Sequence, residues 1–216
     1  MGNLGLTNVT HARCGIPWLA IGVVATPAAG LMLSAFIFRE YSVAWMLLRA
    51  GMLLWAASAA FLLDEPPAPV VRAAPRSPWW WYGSRFIGAV PLIVVPIAAA
   101  SLWAIIRPDA HPLGLSVEAL AASLVVVATA AIAGRRGRHA PGELVASTAV
   151  LAILLLLVRQ PTIGNVPLLP PPGDPRWPES TALWLCLAVA AIVVIAMAGW
   201  WTPKPRPARR RSGFSA

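Results

Sequence analysis

Six long apolar blocks, separated by short polar stretches, leave this chain almost no sequence from which to build a water-facing surface. A helix needs about 20 apolar residues to cross the hydrocarbon core of a bilayer. By that measure the blocks are spans at about 17–38, 44–63, 86–106, 115–133, 144–158 and 181–201, and little is left between them. Composition agrees. Charged residues make up 12% of the 216 residues and apolar residues 58%, with a mean hydropathy of +0.71. Soluble domains carry about 25% charged residues. The expected fold is all-α: one polytopic domain of six transmembrane helices over residues 1–201, followed by a basic tail at 202–216.

The first block resembles a secretory leader in length. Only Arg13 precedes it, and no small-residue cleavage site follows, so an uncleaved span is expected. Pro27 falls in its middle, and Pro91 and Pro96 fall inside the third block. Each frees a carbonyl that a neighbouring helix has to satisfy. The second block stops at Asp64-Glu65-Pro66-Pro67. A polar, proline-rich linker is expected from there to Arg85, ending in the interfacial cluster Trp79-Trp80-Trp81-Tyr82. A second proline-rich stretch, Arg159 to Ser180, is expected to be extended and non-helical.

Charge sets the orientation. If six spans form, the N-terminal segment, the second and fourth loops and the tail share one side and hold twelve of the 17 basic residues. The other side holds Arg39, Arg107, Arg159 and Arg176, and Arg49 lies within a span. Basic residues concentrate on the cytoplasmic side. Both ends are therefore expected in the cytoplasm, with the chain in the cytoplasmic membrane. The net charge of +9 is read as this topological signal, with membrane lipid rather than nucleic acid as its partner.

Residues able to do chemistry are few. Arg49 lies well inside a span, where a charge is costly. It either snorkels to the headgroups or meets a carboxylate, Glu40 or Glu118. Glu118, near the start of the fourth span, is either solvated at a helix N-terminus or takes a proton or substrate role. His11, His111 and His139 all lie outside the spans, which argues against an embedded haem or zinc centre. Ser34, Ser58, Ser101, Ser123 and Ser147 have no His or Lys base beside them in sequence, and serines in membrane helices usually bond to backbone. Cys14 and Cys186 make no disulfide framework and read as small apolar fillers. No lysine precedes Lys204, so no phosphate-binding loop is present. No catalytic, cofactor or metal residues are assigned, and the chain is read as a non-enzyme.

The run Ala56-Ala57-Ser58-Ala59-Ala60-Phe61-Leu62-Leu63-Asp64-Glu65-Pro66, its continuation Ala73-Ala74-Pro75-Arg76-Ser77-Pro78-Trp79, and the later Gly173-Asp174-Pro175-Arg176-Trp177 together resemble small permease subunits of ABC transporters from high-GC Gram-positive bacteria. The predominance of arginine, with Lys204 the sole lysine, fits a GC-rich coding sequence. The resemblance implies an exporter subunit that pairs with a second permease subunit and with a cytoplasmic ATPase carrying ATP and Mg. It also implies docking through the cytoplasmic linkers, at Asp64, Glu65, Arg72 and Arg76 and at Arg135, Arg136 and Arg138. A non-transporting accessory or assembly subunit is the alternative, and a lipid-modifying membrane enzyme is a third possibility.

Overall fold

A computed structural model describes residues 17–63, 78–107, 111–136, 141–159, 161–163 and 165–200; side chains are not described at 63, 78–89, 135, 199 and 200. Among the described residues the fold is all-α, with six helices. These are α1 (Trp18–Ile37), α2 (Tyr41–Ser58), α3 (Pro78–Ile106), α4 (Pro112–Arg135), α5 (Pro141–Arg159) and α6 (Trp177–Trp200). A 3₁₀ segment, Ala59–Leu63, extends α2. Two two-residue strands, β1 (Thr162–Ile163) and β2 (Val166–Pro167), pair antiparallel between α5 and α6.

Five helical stretches are long and apolar enough to cross a membrane: Trp18–Ile37, Tyr41–Leu62, Pro112–Gly134, Pro141–Arg159 and Trp177–Ala198. Val90–Ile106 of α3 is apolar but shorter. This is the build of a multi-pass membrane protein.

Helix starts follow proline chemistry. Pro78, Pro112 and Pro141 each open a helix, where a missing N–H costs nothing and the fixed φ is already helical. Glu143 in the first turn of α5 and Arg159 in its last turn complement the helix dipole. The expected linker to Arg85 is corrected by the same effect. Helix α3 begins at Pro78, so the Trp79–Tyr82 cluster forms its first turns.

Helix α2 is the hub. Of its most apolar window 72% is buried, against 22% for α5 and for α6. It packs along α1 and also meets α4 and α5, while α6 packs chiefly on α4. Close approach of α1 and α2 depends on Gly51. A Cβ there would lie 2.7 Å from Met32 Cγ and 2.8 Å from the Ala28 carbonyl oxygen. Such small-residue contact holds helices together where lipid removes the hydrophobic drive.

Helix α3 runs through Pro91 and Pro96. Pro96 cannot donate to the Leu92 carbonyl four residues back. Trp55 of α2 does so instead, its indole Nε1 donating to Leu92 O at 3.1 Å. The five serines named above turn inward on their own helices. Ser34, Ser101, Ser123 and Ser147 donate to the carbonyl four residues back, and Ser58 donates to that of Trp55. Cys186 is exposed on α6 and does not fill the interior; Cys14 lies outside the described residues.

Gly51→Ala is expected to force α1 and α2 apart, at a cost of about 1–3 kcal/mol. Gly22→Ala and Gly30→Ala, where a Cβ meets nothing within 4 Å, should be neutral or slightly stabilising. Unfolding by SDS titration of detergent-solubilised protein distinguishes the three.

Candidate functional site: a buried arginine–glutamate pair under a proline-rich cap

Arg49 sits at the middle of α2 and is 4% exposed; Glu118 of α4 is 3% exposed. They meet. Arg49 Nε donates to Glu118 Oε1 at 2.8 Å and to Oε2 at 3.1 Å, and Nη2 donates to Oε2. Of the two carboxylates considered for Arg49, Glu118 is the partner. Glu40 is exposed and accepts from Ser42 Oγ at 3.0 Å. Arg49 therefore does not snorkel. Glu118 is not solvated at a helix N-terminus either, because α4 begins at Pro112 and the carboxylate lies almost two turns in.

The third nitrogen is also used. Arg49 Nη1 donates to the Pro170 carbonyl at 2.8 Å. The guanidinium plane lies 5.5 Å from the Trp45 ring centroid and 5.3 Å from that of Trp177. Aromatic faces attract a desolvated cation, so the charge is met by a carboxylate, a carbonyl and two rings. The two indoles meet edge to face at 5.7 Å.

The cap that supplies Pro170 is the proline-rich connection between α5 and α6, which the sequence pattern predicts to be extended as far as Ser180. It is folded instead, and α6 starts at Trp177, four residues before the expected 181. The β1–β2 pair turns the chain back, and Leu168 N donates to Pro161 O. Leu169 and Pro170 are buried. Asp174 N then donates to Pro171 O across Pro172 and Gly173, whose φ of 77° is left-handed. Proline followed by glycine at the two central positions is the pattern of a type II turn. The Asp174 carboxylate accepts from Arg176 N at 2.8 Å and leads the chain into α6.

Side chains from α6 hold the cap by its carbonyls. Trp184 Nε1 donates to Leu168 O at 2.9 Å, as does Ser180 Oγ at 3.2 Å, and Trp177 Nε1 donates to Pro171 O at 3.0 Å. Irregular backbone packed within a membrane protein needs such partners. Trp177 fits because of Gly114, where a Cβ would come 2.6 Å from the indole. His111 stacks on the same indole at 5.1 Å between centroids. Sequence reasoning met Trp177 only as part of a motif and Pro170 only as part of the proline-rich stretch, and it missed Trp45, whose signal was its place one turn before Arg49 on the same helix face.

The arrangement neutralises a buried charge. Among the described residues no three of His, Cys, Asp and Glu come together as a metal site. Asp64, Glu65, Arg72, Arg76 and Arg138 lie outside the described residues, as do His11 and His139. Arg135 ends α4, and Arg136 is exposed just after it.

No protein-family model, curated protein or solved structure matches this chain. The resemblance to ABC permease subunits therefore rests on the residues quoted for it.

Glu118→Leu is expected to destabilise the fold by about 3–5 kcal/mol, because it strands a buried guanidinium. The pair Arg49→Met with Glu118→Leu should cost clearly less than Glu118→Leu alone. Unfolding of the two single variants and the double variant measures the coupling, and additive losses would contradict it.

Proposed function

We propose that this chain is a non-catalytic transmembrane subunit of a larger membrane complex, specifically the permease subunit of an ABC-type exporter of apolar cargo. In this reading all six helices span the membrane. Both ends lie in the cytoplasm, and the Arg49–Glu118 end of the bundle faces outward, as the distribution of basic residues favours. ATP and Mg belong to a partner ATPase, docked on the cytoplasmic linkers with Asp64, Glu65, Arg72 and Arg76 and with Arg135, Arg136 and Arg138. A second permease subunit completes the pathway against the apolar faces of the helices.

One observation carries the reading: the ion pair buried between the helices is used up internally. Arg49 has every nitrogen committed, to Glu118 and to Pro170. A buried charge that acts on a polar substrate or relays protons has to be reachable. A chain whose buried charges are locked together works through its apolar surfaces and its partners.

The same closure favours a second reading, a non-transporting accessory or assembly subunit, which needs no pathway at all. The two differ in what accompanies the chain. Purification from native membranes in mild detergent, with mass spectrometry of what comes with it, is expected to recover in fixed ratio a protein carrying a phosphate-binding loop. Charge reversal at Arg135, Arg136 and Arg138 together should release it. Recovery with membrane proteins that lack any nucleotide site would overturn the exporter reading in favour of the accessory one.

A further inference from the structure

Beside the ion pair, α3 ends against the link between α1 and α2. Arg107, just past α3, donates from Nη2 to the Arg39 carbonyl at 3.4 Å. Its guanidinium lies over the Tyr41 ring, 5.5 Å from the centroid. The Arg107 side chain thus reaches the backbone of Arg39, which puts two arginine positions at one corner of the bundle. Among the described residues the one ion pair is Arg49–Glu118, so neither Arg39 nor Arg107 has a carboxylate there. Glu40, next to Arg39, is turned to Ser42, and Asp109, two residues past Arg107, lies outside the described residues.

Two donors at this corner also lack an acceptor. Trp103 Nε1 and Arg107 Nε, one turn apart on the α3 side, are buried with no hydrogen-bond partner among the described residues. Trp103 is 1% exposed, and its ring stacks on Tyr41. A buried donor without an acceptor is costly, and few sites in a fold present two together with two cations.

The surroundings say what kind of anion fits. Each arginine directly follows an exposed apolar pair, Ile37-Phe38 before Arg39 and Ile105-Ile106 before Arg107. Both pairs lie at the ends of apolar helices, and Trp and Tyr side chains mark headgroup depth. A small hydrophilic anion has no use for those four side chains, whereas acyl chains do.

We propose that Arg39 and Arg107 form a binding site for an anionic phospholipid, its phosphate held between the two guanidinium groups and its acyl chains along Ile37, Phe38, Ile105 and Ile106. The site stands on the membrane reading alone and is independent of any ATPase partner.

Native mass spectrometry of the full-length chain tests it, with dioleoyl phosphatidylglycerol or dioleoyl phosphatidylcholine added to the detergent. The wild type is expected to retain phosphatidylglycerol in preference. Arg39→Gln should cut that retention about fivefold, and Arg39→Gln with Arg107→Gln about 30-fold. Replacing both by lysine should keep most of it. Arg159→Gln, which removes the same charge from the exposed end of α5, should leave it unchanged. Arg39 is exposed, so its single variant remains informative if the double variant does not fold. No preference in the wild type, undiminished retention in Arg39→Gln, or an equal loss in Arg159→Gln overturns the proposal. Displacement of the lipid by excess inorganic phosphate also overturns it, by showing a site for a free anion.

Discussion

The Arg49–Glu118 ion pair is the constraint around which the rest of the structure is arranged. Neither residue is tolerable alone in an apolar interior: an isolated arginine at the centre of a membrane helix costs about 2.5–3.5 kcal/mol on insertion scales. Together they fix which face of α2 meets which face of α4. That choice is otherwise weakly specified, because helices rich in alanine, leucine and valine offer many packings of similar energy. One hydrogen-bonded contact of this kind sets the register that apolar packing leaves open, much as a single polar residue does in a coiled coil.

From that contact the proline-rich cap follows. A guanidinium has donors on three nitrogens, and a carboxylate on one side cannot use them all. The remaining donor takes the Pro170 carbonyl, which draws the connection between α5 and α6 inward. Proline-rich backbone suits this role, since it lacks N–H groups and so leaves mainly carbonyls to be satisfied. Indole N–H groups do the rest, at Leu168 and Pro171 in the cap and at Leu92 in α3. Tryptophan, a donor without an acceptor attached to a large apolar ring, is the side chain best suited to covering bare carbonyls in a low-dielectric interior. Three of the eleven tryptophans, Trp55, Trp177 and Trp184, are used in this way.

How much of this could be read from the sequence depends on the range of the interaction. Apolar length locates the helices, because it acts within a few residues, but not their first turns: α4 and α5 begin at Pro112 and Pro141, three residues before the expected 115 and 144, where proline opens the helix. The partner of Arg49 could be narrowed to two acids, since intramembrane charges are rare and have to be paired. The cap could not be foreseen. Its prolines forbid a regular helix but do not say where the chain goes, and the answer is set by Arg49, 121 residues from Pro170 in sequence. Helix α3 starting at Pro78 was missed for a different reason. A proline that ends one helix and a proline that opens the next look alike until the following residues are seen to pack.

The pair also bears on how the bundle assembles. Before α4 arrives, Arg49 in α2 carries an uncompensated charge, and until α2 is met Glu118 carries the opposite one. Each helix by itself therefore prefers a position in which its charged group reaches water or headgroups. Docking removes that preference from both at once. The indoles of Trp45 and Trp177, edge to face beside the guanidinium, surround the charge only when α6 and the cap are in place, because Trp177 belongs to α6. The buried charge thus depends on α2, α4, α6 and the cap together, all at the Arg49 end of the bundle. If the chain works beside a moving partner, that end is where a change in the cap would be felt by the buried charge, and through it by the α2–α4 interface.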